Sequence, residues 1–352
     1  MARIRTRRRR GTATLLLLAA LLLVAAAGCT GDDDEDAAGT TAATDPTPPP
    51  IDAEVRLTLV ATSSPREPYE RLAPMFSRTR QGAGVLVEGS YGNTLEQTQV
   101  VAFGLPADVF APGSEADLLG PIESEVIPRD WNDDEFGGMV TNSVVVFVVR
   151  AGNPKGIRSW SDLIRPGIRI VMANPATSGV ARWAAVAAYG AQLEQGRTPA
   201  QARQYLEQLL TKTSLEGASA RESFTAFARG NADVLLTSEA EAITAQRKGS
   251  TLEHVVPDET ILIESPISVT TNAPPEAQVF VDFLRSAPAQ RVFAEEGHRP
   301  VLESARALAN FPEPSGLFTI KELGSWRDVH VEFFATSGVV STILRELGKT
   351  GD

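Results

Sequence analysis

From about residue 55 onward, short β-branched apolar runs alternate with longer stretches of helical spacing. VRLTLVAT (55–62), GVLVEGS (84–90), ADVFAP (107–112) and SVVVFVVR (143–150) predict strands, the last being the strongest. IRIVMANP and ADVLLTS (232–238) predict two more, and ILIESPISVTTNAP reads as an extended crossing segment. Between them, SPREPYERLAPMFSRT places Tyr69, Leu72, Met75 and Phe76 on one helical face. TLEQTQVVAFG, an Ala-rich run after residue 178, and ARQYLEQLLTKT also predict helices, and the chain beyond the crossing segment reads as mostly helical. This alternation predicts an α/β protein with parallel sheets covered by helices on both faces.

The first 51 residues follow another pattern. Six arginines within residues 3–10 precede an apolar run of 13 residues, Leu15 to Ala27. A membrane span needs roughly 20 apolar residues, so residues 1–28 read as a signal peptide. The run ends AAAGC, which resembles a bacterial lipobox and predicts lipidation of Cys29, the single cysteine. The stretch CTGDDDEDAAGTTAATDPTPPP is acidic and then proline-rich, and predicts an extended tether over 29–51. About 300 residues remain, more than one core usually serves, so two lobes are expected.

Charge narrows the function. Removing residues 1–28 takes six arginines and no acid. The 33 basic residues fall to 27 against 44 acidic ones, and the net charge moves from -11 to -17. A broad basic surface for nucleic acid is therefore not expected. The sequence holds no GxSxG, Walker, GxGxxG or HExxH motif. His254, His298 and His330 are scattered without ligand spacing and read as structural or solvated. Neither catalysis, a metal nor a cofactor is expected.

What the sequence does contain is a repeated turn. ATSSPRE (61–67), GSYGNTLEQ (89–97), NPATSGVAR (174–182) and EGASARES (216–223) each place small or hydroxyl residues at a helix start. Each can be an ordinary N-cap. Together, at the carboxyl ends of strands, they predict an anion site between two lobes, where unpaired N–H groups and helix dipoles meet negative charge.

The run VVVFVVRAGNPKGIRSWSDLIRPGIRIVMANPATSGVARW resembles the sulfate- and thiosulfate-binding proteins of ABC importers. That family carries a similar "vFLVRkGNPK-i-dW-DLi-PGv-vi-pNPk-SGGARW". SSPREPYERL and LFTIKELGSWRDVHVEFFATSGV (317–339) resemble two further blocks of it, and RESFTAFARGNADV resembles the related molybdate-binding proteins. The resemblance implies a two-lobed periplasmic-binding-protein type II fold, with the ligand cleft between lobes joined by crossover strands near Val144 and Ser265 to Thr271. Lobe 1 is then 52–143 plus 268–345, and lobe 2 is 144–267. It also implies a ligand set without charged side chains: Ser63, Thr94, Ser178, Gly179, Val180 and Ala220, with the family's indole position falling on Ser238. The expected protein is an extracytoplasmic lipoprotein, anchored to the outer face of the cytoplasmic membrane, monomeric, and serving an ABC permease. Sulfate or thiosulfate is the expected ligand. The alternatives are molybdate or another oxyanion, or a sensory or interaction protein on the same fold.

Overall fold

The computed structural model describes residues 54–307 and 310–349. The expected signal peptide, Cys29 and the tether lie outside them. In chain order the first elements are β1 (Val55–Thr62), α1 (Arg66–Ser77), β2 (Val85–Gly92), α2 (Thr94–Ala102), β3 (Val109–Ala111) and α3 (Leu119–Glu123). Then come β4 (Met139–Val149), α4 (Trp160–Leu163), β5 (Ile170–Met172), α5 (Gly179–Glu194), α6 (Pro199–Lys212) and β6 (Thr213–Leu215). They are followed by α7 (Ala220–Arg229), β7 (Val234–Ser238), α8 (Glu239–Arg247), β8 (Glu253–Val255), β9 (Glu259–Pro266) and β10 (Ser268–Val269). The chain closes with α9 (Pro275–Leu284), α10 (Ala287–Glu295), β11 (Arg299–Pro300), α11 (Glu303–Arg306), β12 (Gly316–Phe318), α12 (Trp326–Val329) and α13 (Val339–Glu346).

The strands form two sheets. The smaller has the order β10-β3-β1-β2 and the larger β12-β9-β4-β7-β5-β6. Period-two alternation gives each sheet two apolar faces. In β1, Leu57, Leu59 and Ala61 pack with Tyr69, Phe76 and Phe280, while Val60 packs on the other face with Val101 and Phe110. In β4, Val145, Phe147 and Val149 face one core, and Val144, Val146 and Val148 face another with Phe224 and Phe227. Both sheets are thus covered on both faces, as a near-continuous apolar run demands.

Two expectations are corrected. The sheets are mixed rather than parallel. β1, β2 and β3 pair in parallel, as do β5, β6 and β7, but β4 runs antiparallel to β7, β8 and β9, and β10 antiparallel to β3. The reason is that β4 and β9 are the paired connectors between the halves. Val140 and Ile267 pack in the small-sheet core, whereas Val145 and Ile263 pack in the large-sheet core. The second correction concerns the C-terminal segment. Residues 316–345, expected in lobe 1, pack on the large sheet: β12 pairs with β9, and Trp326, Phe333 and Val340 join the core around α5. In α5, 13 of 16 residues are buried, so it presents no solvent face and needs a cover on the side away from the sheet. Trp326 against Trp183 (ring centroids 4.5 Å apart) and Phe333 against Tyr189 (5.0 Å) provide part of it.

Candidate functional site

Four helices start where the two sheets face each other. Ser178 caps α5, its hydroxyl oxygen accepting from the Ala181 N–H at 3.4 Å. Asn93 caps α2 by accepting from Glu96 N–H at 2.9 Å, and Ser219 caps α7 by accepting from Glu222 N–H at 3.2 Å. Before α1, the turn of Ser63 and Ser64 runs into Pro65. These four starts line one small cavity. Ser63, Thr94, Ser178, Val180 and Ala220, five of the seven residues singled out from the sequence, lie on its wall. Among the described residues, no titratable side chain lines it.

The donors are distributed differently from a one-to-one reading of the turns. The Ser63 N–H is engaged, donating to Gly92 O at 2.9 Å, and the next N–H, of Ser64, finds no acceptor among the described residues. The Gly179 N–H is also engaged, donating to Thr94 Oγ1 at 2.9 Å. That bond uses a lone pair of the Thr94 hydroxyl and leaves its proton for another acceptor. The N–H groups of Thr94, Val180 and Ala220 have no partner among the described residues, as the first turn of a helix leaves them. An orphan N–H at a helix start carries part of the macrodipole's positive end. Three such groups and the Ser64 N–H, from both halves of the molecule, around one cavity with no counterion among the described residues, describe a seat for a small anion.

Gly179 serves the meeting of the halves. A Cβ added there would lie 3.0 Å from the Gly113 Cα, and one added to Gly113 would lie 3.1 Å from the Gly179 Cα. Only two glycines let the backbones approach this closely. Around them the start of α5 is fastened to the small-sheet half. Leu95 N–H donates to Thr177 O at 3.1 Å, Trp183 Nε1 to Gly113 O at 2.9 Å, and Arg182 pairs with Asp117 at 2.5 Å.

Ser238 stands apart from the other six. It caps α8, accepting from Glu241 N–H at 3.3 Å, and lines a neighbouring chamber rather than the seat. Six wall residues not named from the sequence are Thr62, Ser64, Gly92, Asn93, Gly113 and Ser219. Asn93 and Ser219 had a signal, since each precedes a helix as an N-cap residue. Gly113 had none: its role comes from Gly179 lying opposite.

Charge gathers at the rim. Arg221 grips Glu67 with two nitrogens, at 2.6 and 2.9 Å, and reaches Glu241 at 2.5 Å. Lys248 also pairs with Glu67, and Arg247 with Glu296 at 3.2 Å. Burial works to raise the Glu67 carboxyl, but hydrogen bonds from Arg221 and Lys248 outweigh it and hold it at about 2. Burial raises the Glu241 carboxyl despite Arg221.

Comparison with known proteins places this geometry. Residues 57–299 match the family described as bacterial extracellular solute-binding protein. The chain belongs to that family. It is 38% identical to a sulfate-binding protein of Synechococcus elongatus over 81% of this chain and 85% of that one. It is 28% identical to a thiosulfate-binding protein of Pseudomonas aeruginosa over 79% of this chain and 89% of that one. Among solved structures, the sulfate-binding protein SubI from Mycobacterium tuberculosis H37Rv matches with a TM-score of 0.77 and 37% identity, covering 80% of this chain and 99% of that one. The periplasmic-binding-protein fold is thereby established for this member.

Proposed function

We propose that this solute-binding protein captures a tetrahedral oxyanion, sulfate before thiosulfate or molybdate, and delivers it to an ABC permease. The observation that carries the reading is the set of four N–H groups, of Ser64, Thr94, Val180 and Ala220, that have no partner among the described residues and surround one cavity with no charged side chain among those residues. Ser63, Thr94 and Ser178 add hydroxyl donors. Gly179 acts by holding Thr94 and by letting the halves meet, and Ser238 acts at one remove, from the adjoining chamber. A wall of donors suits a fully deprotonated anion, whereas a protonated phosphate needs an acceptor.

The lobes in this reading are 52–143 with 268–315, and 144–267 with 316–345, hinged at β4 and β9. Closure of such lobes on a ligand is an ordinary transition. The protein binds without catalysing, works as a monomer, and is held at the outer face of the cytoplasmic membrane by acylated Cys29. Two acyl chains hold where one is marginal, so Cys29→Ala is expected to move the protein out of the membrane fraction. The central test is calorimetric titration of the mature protein with sulfate, thiosulfate, molybdate and phosphate. Sulfate is expected to bind most tightly and phosphate most weakly. Preference for phosphate, or binding of none of the four, overturns the proposal.

A further inference from the structure

The seat does not end at its own wall. A second cavity, about twice the volume of the seat, adjoins it and shares Thr62, Ser64, Gly113 and Val180 with it. Apolar atoms of Ala111, Pro112, Ala240, Ile263 and Pro266 line part of it, beside Tyr69 and the hydroxyl residues Thr141, Ser143, Ser238 and Ser265. Two of its hydroxyl oxygens are already occupied, Ser143 Oγ by the Ala240 N–H at 3.2 Å and Ser238 Oγ by the Glu241 N–H at 3.3 Å.

One group in the wall is conspicuously unused. His298 is 4% exposed and lines the chamber. Its Nε2 is sealed from solvent and has no hydrogen-bond partner among the described residues. The ring stands edge-on to Phe293, with centroids 6.0 Å apart, and the His298 N–H donates to Phe293 O at 2.9 Å, so its position is fixed. Burial pushes the imidazole down to about 4. At neutral pH it is therefore uncharged and offers one donor and one acceptor. A polar side chain this deep, without a partner, asks for a ligand group to meet it.

We propose that the chamber is a substituent pocket continuous with the anion seat, and that the protein binds small organosulfonates, R–SO3⁻, as well as the bare oxyanion. Three sulfonate oxygens take the helix-start donors. The fourth substituent, one or two carbons long, carries no lone pairs and turns to the apolar wall. A neutral hydroxyl at its end reaches His298. This rests on the oxyanion reading of the seat and adds a ligand class to it.

The test is titration of the mature protein with sulfate, methanesulfonate, ethanesulfonate, 2-hydroxyethanesulfonate and benzenesulfonate. The three alkyl sulfonates are expected within about tenfold of sulfate, the hydroxyethyl compound at least about threefold tighter than the ethyl one, and the aromatic one excluded by size. Ser265→Leu, which fills the chamber, is expected to weaken the alkyl sulfonates by more than about tenfold while sulfate changes by less than about threefold. Ala240→Val is the milder filling should the first variant not fold. His298→Leu is expected to abolish the hydroxyethyl preference alone. Sulfate binding without any sulfonate binding overturns the chamber proposal and leaves the oxyanion reading standing. Binding of no anion overturns both. Equal loss of sulfate and sulfonates in a folded filling variant also overturns the chamber.

Discussion

At the start of α7, Ala220 and Arg221 are neighbours in sequence with opposite electrostatic roles. The Ala220 N–H faces the seat, while the Arg221 side chain turns to the rim and binds Glu67 across the two halves and Glu241 within its own. The seat meets charge with fixed dipoles, whereas the rim meets it with formal charges in pairs. A lysine or arginine in the seat would itself have to be stripped of water on closure, at a large cost. Backbone N–H groups are already in place and need only a partner. At the rim, the partly buried Arg221–Glu67 pair joins the two halves and must be broken for them to part. On the proposed function, the division of labour is ligand charge to helix starts and lobe closure to side-chain ions.

The contrast can be broken most severely where the halves touch. Gly113→Val puts a Cβ 3.0 Å from Thr94 Oγ1 and 3.1 Å from the Gly179 Cα, with further methyls beyond it. Overpacking of this kind costs about 1–3 kcal/mol, and here it falls on the closed form alone, so anion affinity is expected to drop by up to about 150-fold. Unliganded stability should change much less. A titration with affinity intact would mean that the halves close without this contact.

Acid separates core stability from seat affinity. Burial holds His298 at about 4 against an ordinary 6.5, so the unfolded chain binds more protons than the folded one through that window. Stability is therefore level above pH 6.5 and falls as the pH drops toward 4, by up to about 3 kcal/mol. Glu67, held at about 2 against 4.5, loses its contribution in the same direction over that lower range. His298→Gln should flatten the upper part of the profile in thermal unfolding. Affinity for sulfate should meanwhile stay constant from pH 5.5 to 9, because no titratable group among the described residues lines the seat. Affinity that tracks the stability curve would show the two regions to be coupled.

On the proposed function, Ser178→Ala removes one hydroxyl donor from the wall of the seat. A hydrogen bond to a charged group is worth about 1.5–3 kcal/mol, so a 10- to 150-fold loss in affinity is expected. The cap bond to Ala181 is long at 3.4 Å, so apo stability should fall by no more than about 1 kcal/mol. The reverse result, stability lost and affinity kept, would reduce Ser178 to a cap. The smallest effect is at the rim. Glu67→Gln leaves Arg221 its bond to Glu241 but removes the charge that Lys248 shares. For partly exposed ions this is worth at most about 1 kcal/mol, seen as up to about fivefold faster ligand release and a weaker dependence of that rate on salt. An unchanged release rate and salt slope would mean that the rim pairs do not hold the closed form.

The sequence by itself determined the α/β class, the main strands and the helix starts. Strand periodicity and hydroxyl caps are local properties, written within a few residues of each feature. That is why the turns that hold Thr94, Ser178 and Ala220 could be placed at helix starts before any packing was known, whereas the individual residues came from the family resemblance. Tertiary structure decided what depends on meeting. β4 is antiparallel to its neighbours because it returns beside β9 between the halves, and nothing within VVVFVV states its direction. The C-terminal segment joins the large-sheet core because α5 is apolar all round, a demand satisfied from more than 100 residues away. Which donors are free was settled the same way. Gly179 loses its N–H to Thr94, and Ser63 loses its own to Gly92, only because the turns that hold them lie side by side in space. A hydrogen-bond donor can be read from sequence; whether its partner is protein or ligand depends on what the fold brings opposite it.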